Sequence, residues 1–293
     1  MDIVVLIKQV PDTATRIQDR VKDGRIDLEG VTWVTSPYDE YAVEEALRLR
    51  ERHGGTVTLL TLGPERSHAA LKDMLALGAD EAYALWDPAF ENLGTHARAE
   101  VLAAAVRRLP HDLVLAGWKG VDNDEGLVPI YLAAALDVPH LSFVVQLEVD
   151  GATLKVRREI EGGKEAMTAD MPAVVTAQKG LNEVRYATLK GIMRVKGKSI
   201  EVWSAADLAG PRGDDIRKYL ASAGGDAGRR IRLMRLAWDM TISGFGGRQQ
   251  HYENFFFGDP VRMRQALYGV YDRSALVERV LAFAEDTEWP VIA

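Results

Sequence analysis

The stretch TVTLLTLGPERSHAALKDMLALGADEAYALW, residues 56–86, decides the fold class. Its two ends, TVTLLTLG (56–63) and EAYALW (81–86), are short apolar runs typical of strands that are buried on both faces. The middle, ERSHAALKDMLALG (65–78), has the apolar spacing of an amphipathic helix, and Gly78 stands where a helix end favours glycine. Because strand, helix and strand follow one another closely, the stretch predicts two parallel strands joined by a helical crossover.

The same alternation continues on both sides of this stretch. IVVLIK (3–8) and DLVLAG (112–117) predict two further strands of the same kind. YDEYAVEEALRLRERHG (38–54) and HARAEVLAAAVRRL (96–109) predict two further helices. The sequence therefore predicts an α/β fold with a doubly wound, mostly parallel, Rossmann-like sheet.

Beyond this region the pattern changes. Asp150-Gly151 lies between two alternating runs, which predicts a hairpin and hence an antiparallel extension of the sheet. We expect an α/β domain over residues 1–205 and a linker, rich in Gly, Pro and charge, over 206–215. A helical, aromatic-rich tail is expected over 216–293.

Composition excludes several classes of function. The 293 residues carry a net charge of -7, which argues against a nucleic-acid-binding protein, and they contain no cysteine, which excludes disulfides and thiolate catalysis. No apolar run reaches the roughly 20 residues of a membrane span. The beginning MDIVVLIK predicts a first strand and not a signal peptide, so we expect a cytoplasmic protein.

Ligands of open parallel sheets bind beyond the carboxyl ends of the strands. In this sequence those ends are Lys8 to Asp12, Leu62 to Pro64 and Gly117 to Asp124, with Ser36 to Asp39 just before the first helix. The glycines allow close approach of a nucleotide, but glycine and proline also simply make turns. No Walker-type phosphate loop is present, and the six histidines show neither metal-ligand spacing nor a neighbouring nucleophile.

The loop GWKGVDNDEGLVPIYLAAAL (117–136) permits more than one interpretation. Asn123 or Asp124 is placed to cap the helix that follows, and capping is the simplest role for the acidic run. A metal site formed by Asp122, Asp124 and Glu125 is the less favoured alternative, because clustered loop carboxylates are usually solvated.

The segment LNEVRYATLKGIMRVKGKSIEV (181–202) combines apolar residues with several cations. One interpretation is that Leu189 and Ile192 pack beneath the loop. The other is that they are exposed anchors for a partner protein, with charge around them.

Four motifs carry a resemblance over about residues 1–205. They are IKQVPDTATRIQ (7–18), SPYDEYAVEEALRL (36–49), VRREIEGGKEAMTADMPAVVTA (156–177) and LNEVRYATLKGIM (181–193). In this order they resemble the beta subunit of electron-transfer flavoprotein, whose last motif is LNEPRYATLPNIM, with Val184 here in place of proline.

The resemblance implies a heterodimer with an alpha subunit that shares its FAD. It implies electron transfer from acyl-CoA or other flavin dehydrogenases to a downstream acceptor, without catalysis by this subunit alone. It also implies an AMP, or a second FAD, in a pocket formed by Leu6, Ser36, Pro37, Tyr38, Asp39, Leu62, Gly117, Trp118, Lys119, Gly120, Val121, Asp122, Asn123, Asp124, Glu125, Gly126, Leu127 and Val128. The implied dehydrogenase-binding residues are Tyr186, Leu189, Ile192 and Met193, with Leu189 as the anchor.

The acidic run departs from the family pattern. The family usually continues with Thr-Gly-Gln or Thr-Ala-Gln-Val-Gly, whereas this chain has Glu125-Gly126-Leu127-Val128-Pro129. The hydroxyl and amide that would meet a phosphate are missing, Glu125 adds a negative charge near a helix N-terminus, and Pro129 offers no N–H. We therefore expect weak or altered binding of AMP or FAD.

The tail resembles a different family, the flavin-dependent hydroxylases of the 4-hydroxyphenylacetate type. The matching residues are Arg235, Leu236, Ala237, Trp238, Asp239, Phe245, Arg248, Tyr252, Glu253, Gly258, Asp259, Pro260 and Arg262. The match spans about 80 residues and lacks that family's main substrate and flavin segments. The resemblance implies a role in oligomer assembly. Three origins of the tail stay open: a natural fusion, an engineered chimera, and a divergent tail that resembles the hydroxylases by accident.

Three functions remain open at this stage. The first is an electron-transfer flavoprotein beta subunit with an appended tail. The second is a non-redox adenine-nucleotide-binding or scaffold module, and the third is a fusion whose tail drives hydroxylase-like oligomerisation.

Overall fold

The computed structural model describes residues 1–15, 21–22, 25–91 and 93–208. Its strands are β1 (Ile3–Leu6), β2 (Gln9–Pro11), β3 (Val21–Lys22), β4 (Arg25–Ile26), β5 (Trp33–Thr35), β6 (Val57–Leu62), β7 (Glu81–Leu85), β8 (Leu113–Gly117), β9 (His140–Asp150), β10 (Thr153–Ile160), β11 (Gly163–Asp170), β12 (Ala173–Ala177) and β13 (Glu201–Trp203). Its helices are α1 (Pro37–His53), α2 (His68–Leu77), α3 (Thr95–Val106), α4 (Val128–Leu136) and α5 (Leu189–Val195).

Within these residues, nine strands form one sheet in the order β11-β10-β9-β12-β8-β1-β6-β7-β13. The seven strands from β9 to β13 in this order pair in parallel. From β1 the chain moves outward through β6 to β7 and then returns to β8 on the other side of β1. The strand order therefore reverses between β1 and β8, which is where a doubly wound fold places its ligand.

The antiparallel extension is also present. β9 and β10 pair antiparallel across the turn at Asp150-Gly151, and β11 adds a further antiparallel strand at the edge. Gly151 has a φ of 61°, a left-handed conformation that glycine adopts without strain. The predicted α/β fold class, with a mostly parallel sheet and an antiparallel extension, is confirmed.

Burial explains why the central strands are continuous apolar runs. β1, β8 and β12 are buried along their whole length because helices cover both faces of the sheet. The largest fully buried side chains come from both layers: Ile3, Leu47, Leu49, Leu59, Leu60, Leu71, Leu75, Leu85, Leu113, Leu115, Leu132 and Leu154. Most of these side chains belong to one hydrophobic cluster, and Leu60, Leu85 and Leu132 are buried outside it. This packing fixes where the ends of β1 and β8 lie.

The last described residues close the far edge of the sheet. β13 pairs with β7, and the Trp203 ring packs against Tyr83 at 4.5 Å between ring centroids. Leu208, inside the predicted linker, is 5 % exposed, and its backbone N–H donates to the Ser204 carbonyl at 3.2 Å. The rest of the linker and the predicted helical tail lie outside the described residues.

No helix among those described is long and apolar enough to cross a membrane. The cytoplasmic location stays a prediction.

Candidate functional site

Asp39, in the first turn of α1, joins the two strand ends at the switch point. Its Oδ2 accepts a hydrogen bond from the Lys8 backbone N–H at 2.7 Å, just beyond β1. Its Oδ1 accepts one from the Gly117 N–H at 2.8 Å, at the end of β8. Since β1 and β8 run side by side, one carboxylate fixes the spacing of both loops and of α1.

The burial of Asp39 is chemically costly. Only 6 % of the residue is exposed, and desolvation raises the pKa of its carboxyl to about 7, against the opposing effect of the two backbone hydrogen bonds and of Lys8. A carboxyl group that titrates near neutrality therefore lies at the centre of the candidate site.

Gly117 and Gly120 are required by close packing at this point. A Cβ on Gly117 would lie 2.5 Å from Asp39 Oδ1, and a Cβ on Gly120 would lie 2.5 Å from Asp122 Oδ1 and 2.8 Å from Lys8 Nζ. The two glycines thus let the loop after β8 lie directly on α1 and on Lys8.

An aromatic cluster lines the same loop. The Trp118 ring meets Tyr38 edge-on at 5.4 Å and Phe143 at 4.9 Å between centroids, and Lys119 Nζ lies 4.5 Å from the Trp118 ring. Phe143 has a φ of 57°, unusual for a residue with a side chain. Phe143 was not among the predicted site residues, because nothing in the sequence of a hairpin strand indicates a left-handed residue.

Three polar groups near the switch point are buried without a hydrogen-bond partner in the described part of the chain. They are the hydroxyls of Thr35 and Ser36 and the indole Nε1 of Trp118. Unpaired buried polar groups are costly, so they are candidates for ligand contacts. Thr35 was not among the predicted site residues.

The acidic run is paired with cations. Lys8 Nζ lies 2.6 Å from Asp122 Oδ1, Lys119 Nζ lies 2.7 Å from Asp124 Oδ1, and Arg98 lies 3.9 Å from a Glu125 oxygen. Among the described residues, no group of His, Asp or Glu is arranged to hold a metal ion.

The predicted capping role for Asn123 or Asp124 is wrong. α4 begins at Val128, its N-cap position is Leu127, and no side chain caps it. Asp124 instead has a φ of 52°, and its N–H donates to the Gly120 carbonyl, so the acidic run forms its own turn before the helix.

The remaining predicted pocket residues surround the same two strand ends. Leu6 ends β1, Leu62 ends β6, and Ser36 and Pro37 begin α1. Val121, Gly126 and Leu127 belong to the loop between β8 and α4. The structure therefore brings the predicted set together around the switch point. Its role in nucleotide binding stays a prediction.

A second candidate site follows β12, where an irregular segment lies along α1. Asn182 Nδ2 donates to the Tyr41 carbonyl and to Glu45 Oε2, each at 3.0 Å. Arg48 Nη2 donates to the Glu183 carbonyl at 2.9 Å. Tyr41, Glu45 and Arg48 have helical spacing, so one face of α1 holds the segment.

Arg185 makes the densest contacts of this segment. Its Nε donates to Glu44 Oε2 at 2.8 Å and its Nη1 to Glu51 Oε1 at 2.5 Å. Burial alone would raise the pKa of Glu44, but hydrogen bonds from Arg185 and Arg48 outweigh it and lower that pKa. Both carboxylates in turn raise the pKa of Arg185.

The short helix α5 is seated on the C-terminal end of α2. Arg194 Nη2 donates to the Leu75 carbonyl at 2.6 Å, one of the carbonyls that a helix end leaves unpaired. Gly191 lies so close to α2 that a Cβ would overlap the Ala76 carbonyl oxygen. Thr188 caps α5 by accepting the Gly191 N–H at 3.0 Å.

Four apolar side chains of this segment point away from the fold. Tyr186 is 95 % exposed, Leu189 76 %, Met193 58 % and Ile192 49 %. The interpretation that Leu189 and Ile192 pack beneath the loop is wrong, because Arg185, Gly191, Arg194 and the buried Val195 make the contacts with the domain instead. Leu189, Ile192 and Met193 have the spacing of one helix face, and Tyr186 lies three residues before Leu189.

Comparison with known proteins assigns the family. The electron transfer flavoprotein domain matches residues 23–208 of the chain. The chain belongs to the electron transfer flavoprotein family. Electron transport with a flavin is the shared property of this family.

Relatives of the family match most of their own length. The beta subunit of electron transfer flavoprotein from Thermoanaerobacterium thermosaccharolyticum is 41% identical over 209 residues, which is 71% of this chain and 80% of the relative. The Bacillus subtilis beta subunit is 36% identical over 227 residues, 75% of this chain and 88% of the relative. The caffeyl-CoA reductase-Etf complex subunit CarD of Acetobacterium woodii is 36% identical over 210 residues, 71% and 80% of the two chains.

A second family matches the end of the chain. The 4-hydroxyphenylacetate 3-hydroxylase C-terminal family matches residues 192–285. This agrees with the resemblance noted for Arg235 to Arg262, residues that lie outside the described part of the structure.

Proposed function

We propose that this chain is the beta subunit of an electron transfer flavoprotein. Paired with an alpha subunit, it receives electrons from an acyl-CoA or another flavin dehydrogenase and passes them to a downstream acceptor. Relatives named as beta subunits support the pairing. The observation that carries the dehydrogenase contact is Leu189, 76 % exposed at the start of a helix that the domain holds firmly.

The patch of Tyr186, Leu189, Ile192 and Met193, called the docking surface below, has the character of a binding site. Large exposed apolar side chains that cluster within charged surroundings concentrate binding energy. Lys190, Lys196 and Lys198 are exposed around it and make no ion pair with the described residues. The expected partner surface is therefore an apolar pocket with an acidic rim.

The family's flavin supplies the redox chemistry when bound. By the resemblance, the alpha subunit holds most of that flavin, and this chain contributes orientation and the contact with the dehydrogenase. The function is thus that of an electron-carrier subunit and not of a catalyst acting alone.

The test of the pairing is co-expression of the full chain with an alpha subunit of the family from the same organism. We expect a yellow complex with one copy of each subunit and one redox-active FAD. Failure to associate would favour the non-redox nucleotide-binding or scaffold module. A homo-oligomer that excludes the alpha subunit would favour assembly by the hydroxylase-like tail, which the match to residues 192–285 brings into consideration.

The switch point fits the phosphate of AMP or of a second FAD poorly. Lys8 and Lys119 are already paired with Asp122 and Asp124. Pro129 lies in the first turn of α4, where it removes an N–H that an anion needs. The unpartnered hydroxyl of Ser36 leaves a contact for a neutral part of a ligand.

We therefore expect the purified heterodimer to contain clearly less than one AMP, or one second FAD, per beta subunit. The physical reason is that Lys8 and Lys119 are already paired with Asp122 and Asp124, and that Pro129 offers no N–H to a phosphate. The measurement is chromatography of the nucleotides released by acid, with the redox FAD counted separately by its absorbance. A full equivalent of adenine nucleotide beyond that FAD would refute the expectation.

A further inference from the structure

The segment between β12 and α5 needs external support to present one surface. Residues 182–188 form neither helix nor strand, so no backbone ladder holds them. Val184 stands where the resembled motif has proline and leaves its φ free to vary. The side chains of Asn182 and Arg185, together with Arg48 of α1 on the Glu183 carbonyl, therefore carry the attachment of the segment to the domain.

Arg185 is the strongest of these attachments. Its guanidinium bonds two carboxylates at once, Glu44 and Glu51, which lie seven positions apart on the same face of α1. Its backbone N–H also donates to Glu44 Oε2 at 3.2 Å. The planar guanidinium of Arg185 bound to Glu44 and Glu51 is called the Arg185 fork below. Because it is planar and bonds both carboxylates, it fixes the direction of the chain as well as its distance from α1.

The side chains of the docking surface come directly after this fork. Tyr186 is the next residue, and Leu189 begins α5 three residues further on. The far end of α5 is held by Arg194, which donates to the carbonyls of Leu75, in α2, and of Ala79, just beyond α2. The docking surface thus lies between two anchors that belong to different helices.

We infer that Arg185, through Glu44 and Glu51, is a positioning residue that holds the docking surface in one orientation before a partner arrives. The role of this orientation in docking rests on the proposed function. The orientation of the docking surface is a property of the chain without its partner. A pre-positioned surface binds without first ordering a loop, so losing the fork should weaken docking and leave the electron-transfer step itself unchanged.

Two variants separate this role from general stability. Glu51→Gln removes the ion pair between Arg185 and Glu51. The Glu51 side chain is half-exposed, so the change leaves no buried charge unpaired. Arg185→Lys keeps the positive charge but cannot bond two carboxylates in one plane. Lys155→Gln is the matched control, because Lys155 forms a 2.6 Å ion pair with Asp150 at an exposed position of β10.

Hydrogen exchange of the full chain, measured by mass spectrometry, tests the orientation directly. In Glu51→Gln and in Arg185→Lys, we expect the amides of residues 186–193 to exchange about tenfold faster than in the unmodified protein, with β12 unchanged. Lys155→Gln should leave 186–193 unaffected. Unchanged exchange at 186–193 in both fork variants would overturn the inference.

Kinetics with a flavin dehydrogenase that reduces the unmodified heterodimer provide the second readout. We expect the KM for the heterodimer to rise about fivefold to tenfold in both fork variants, with kcat unchanged. If Leu189→Ala raises KM and the fork variants do not, positioning by Arg185 is wrong and the docking proposal stands. If exchange rises as expected but neither Leu189→Ala nor the fork variants alter KM, positioning stands and the proposed dehydrogenase contact is wrong.

Discussion

Replacing Leu189 with alanine is expected to lower kcat/KM for reduction of the heterodimer by its dehydrogenase about 30-fold, which corresponds to about 2 kcal/mol for an interface anchor. The free energy of unfolding should change little, because Leu189 is 76 % exposed and removes little apolar area from water within the domain. The measurement is steady-state electron transfer at increasing heterodimer concentration, together with urea unfolding of the same variant.

Leu28→Ala is the matched control for this variant. Leu28 is another exposed leucine, 39 % accessible, and it lies outside the docking surface. Its replacement should leave both electron transfer and stability unchanged. A Leu189→Ala variant that loses several kcal/mol of stability would restore the core-packing interpretation, and one that keeps its kcat/KM would remove Leu189 from the interface.

Replacing Asp39 with asparagine is expected to lower the free energy of unfolding by about 1–3 kcal/mol at pH 5. A protonated carboxyl still has lone pairs on both oxygens, whereas an amide NH₂ has none, so asparagine leaves one of the Lys8 and Gly117 N–H groups without an acceptor. One of the two buried N–H groups would then face the amide NH₂. Urea unfolding of the full chain, followed by circular dichroism, measures the difference.

The effect of Asp39 on stability should also depend on pH. Its pKa is about 7 in the folded chain against an ordinary 3.8, so the folded state favours the protonated carboxyl. The resulting contribution to stability is full below about pH 4 and is lost as the pH rises through 7. The difference in the free energy of unfolding between the unmodified protein and the Asp39→Asn variant should therefore become smaller between pH 5 and pH 8. A difference that is constant, or that grows with pH, would show that Asp39 is not buried as a neutral acid.

Periodicity was sufficient to predict the α/β fold class with its mostly parallel sheet. The strands at 56–63 and 81–86 and the helix between them are each found within a few residues of their predicted limits. Such apolar runs predict strands well, because a strand that is buried on both faces must consist of apolar residues. The hairpin at Asp150-Gly151 followed from turn chemistry for the same local reason.

The details of the sites depend on contacts that local patterns do not contain. Arg185 meets Glu44 across 141 residues of sequence, and Asp39 meets Gly117 across 78. The failed cap at Asp124 has a similar cause, because a left-handed turn delays the start of α4 to Val128. The charges of Arg185 and Glu44 are plain in the sequence, but their pairing is set by the packing of the segment after β12 on α1.

The central claim is that the chain works as the beta subunit of a flavin-containing heterodimer, and native mass spectrometry of the co-purified complex tests it most directly. One spectrum reports subunits, flavin and nucleotide together. We predict a mass that equals one full chain, one alpha subunit and one FAD, with little or no further nucleotide. A chain that appears only by itself, or only as a homo-oligomer without flavin, would contradict the account.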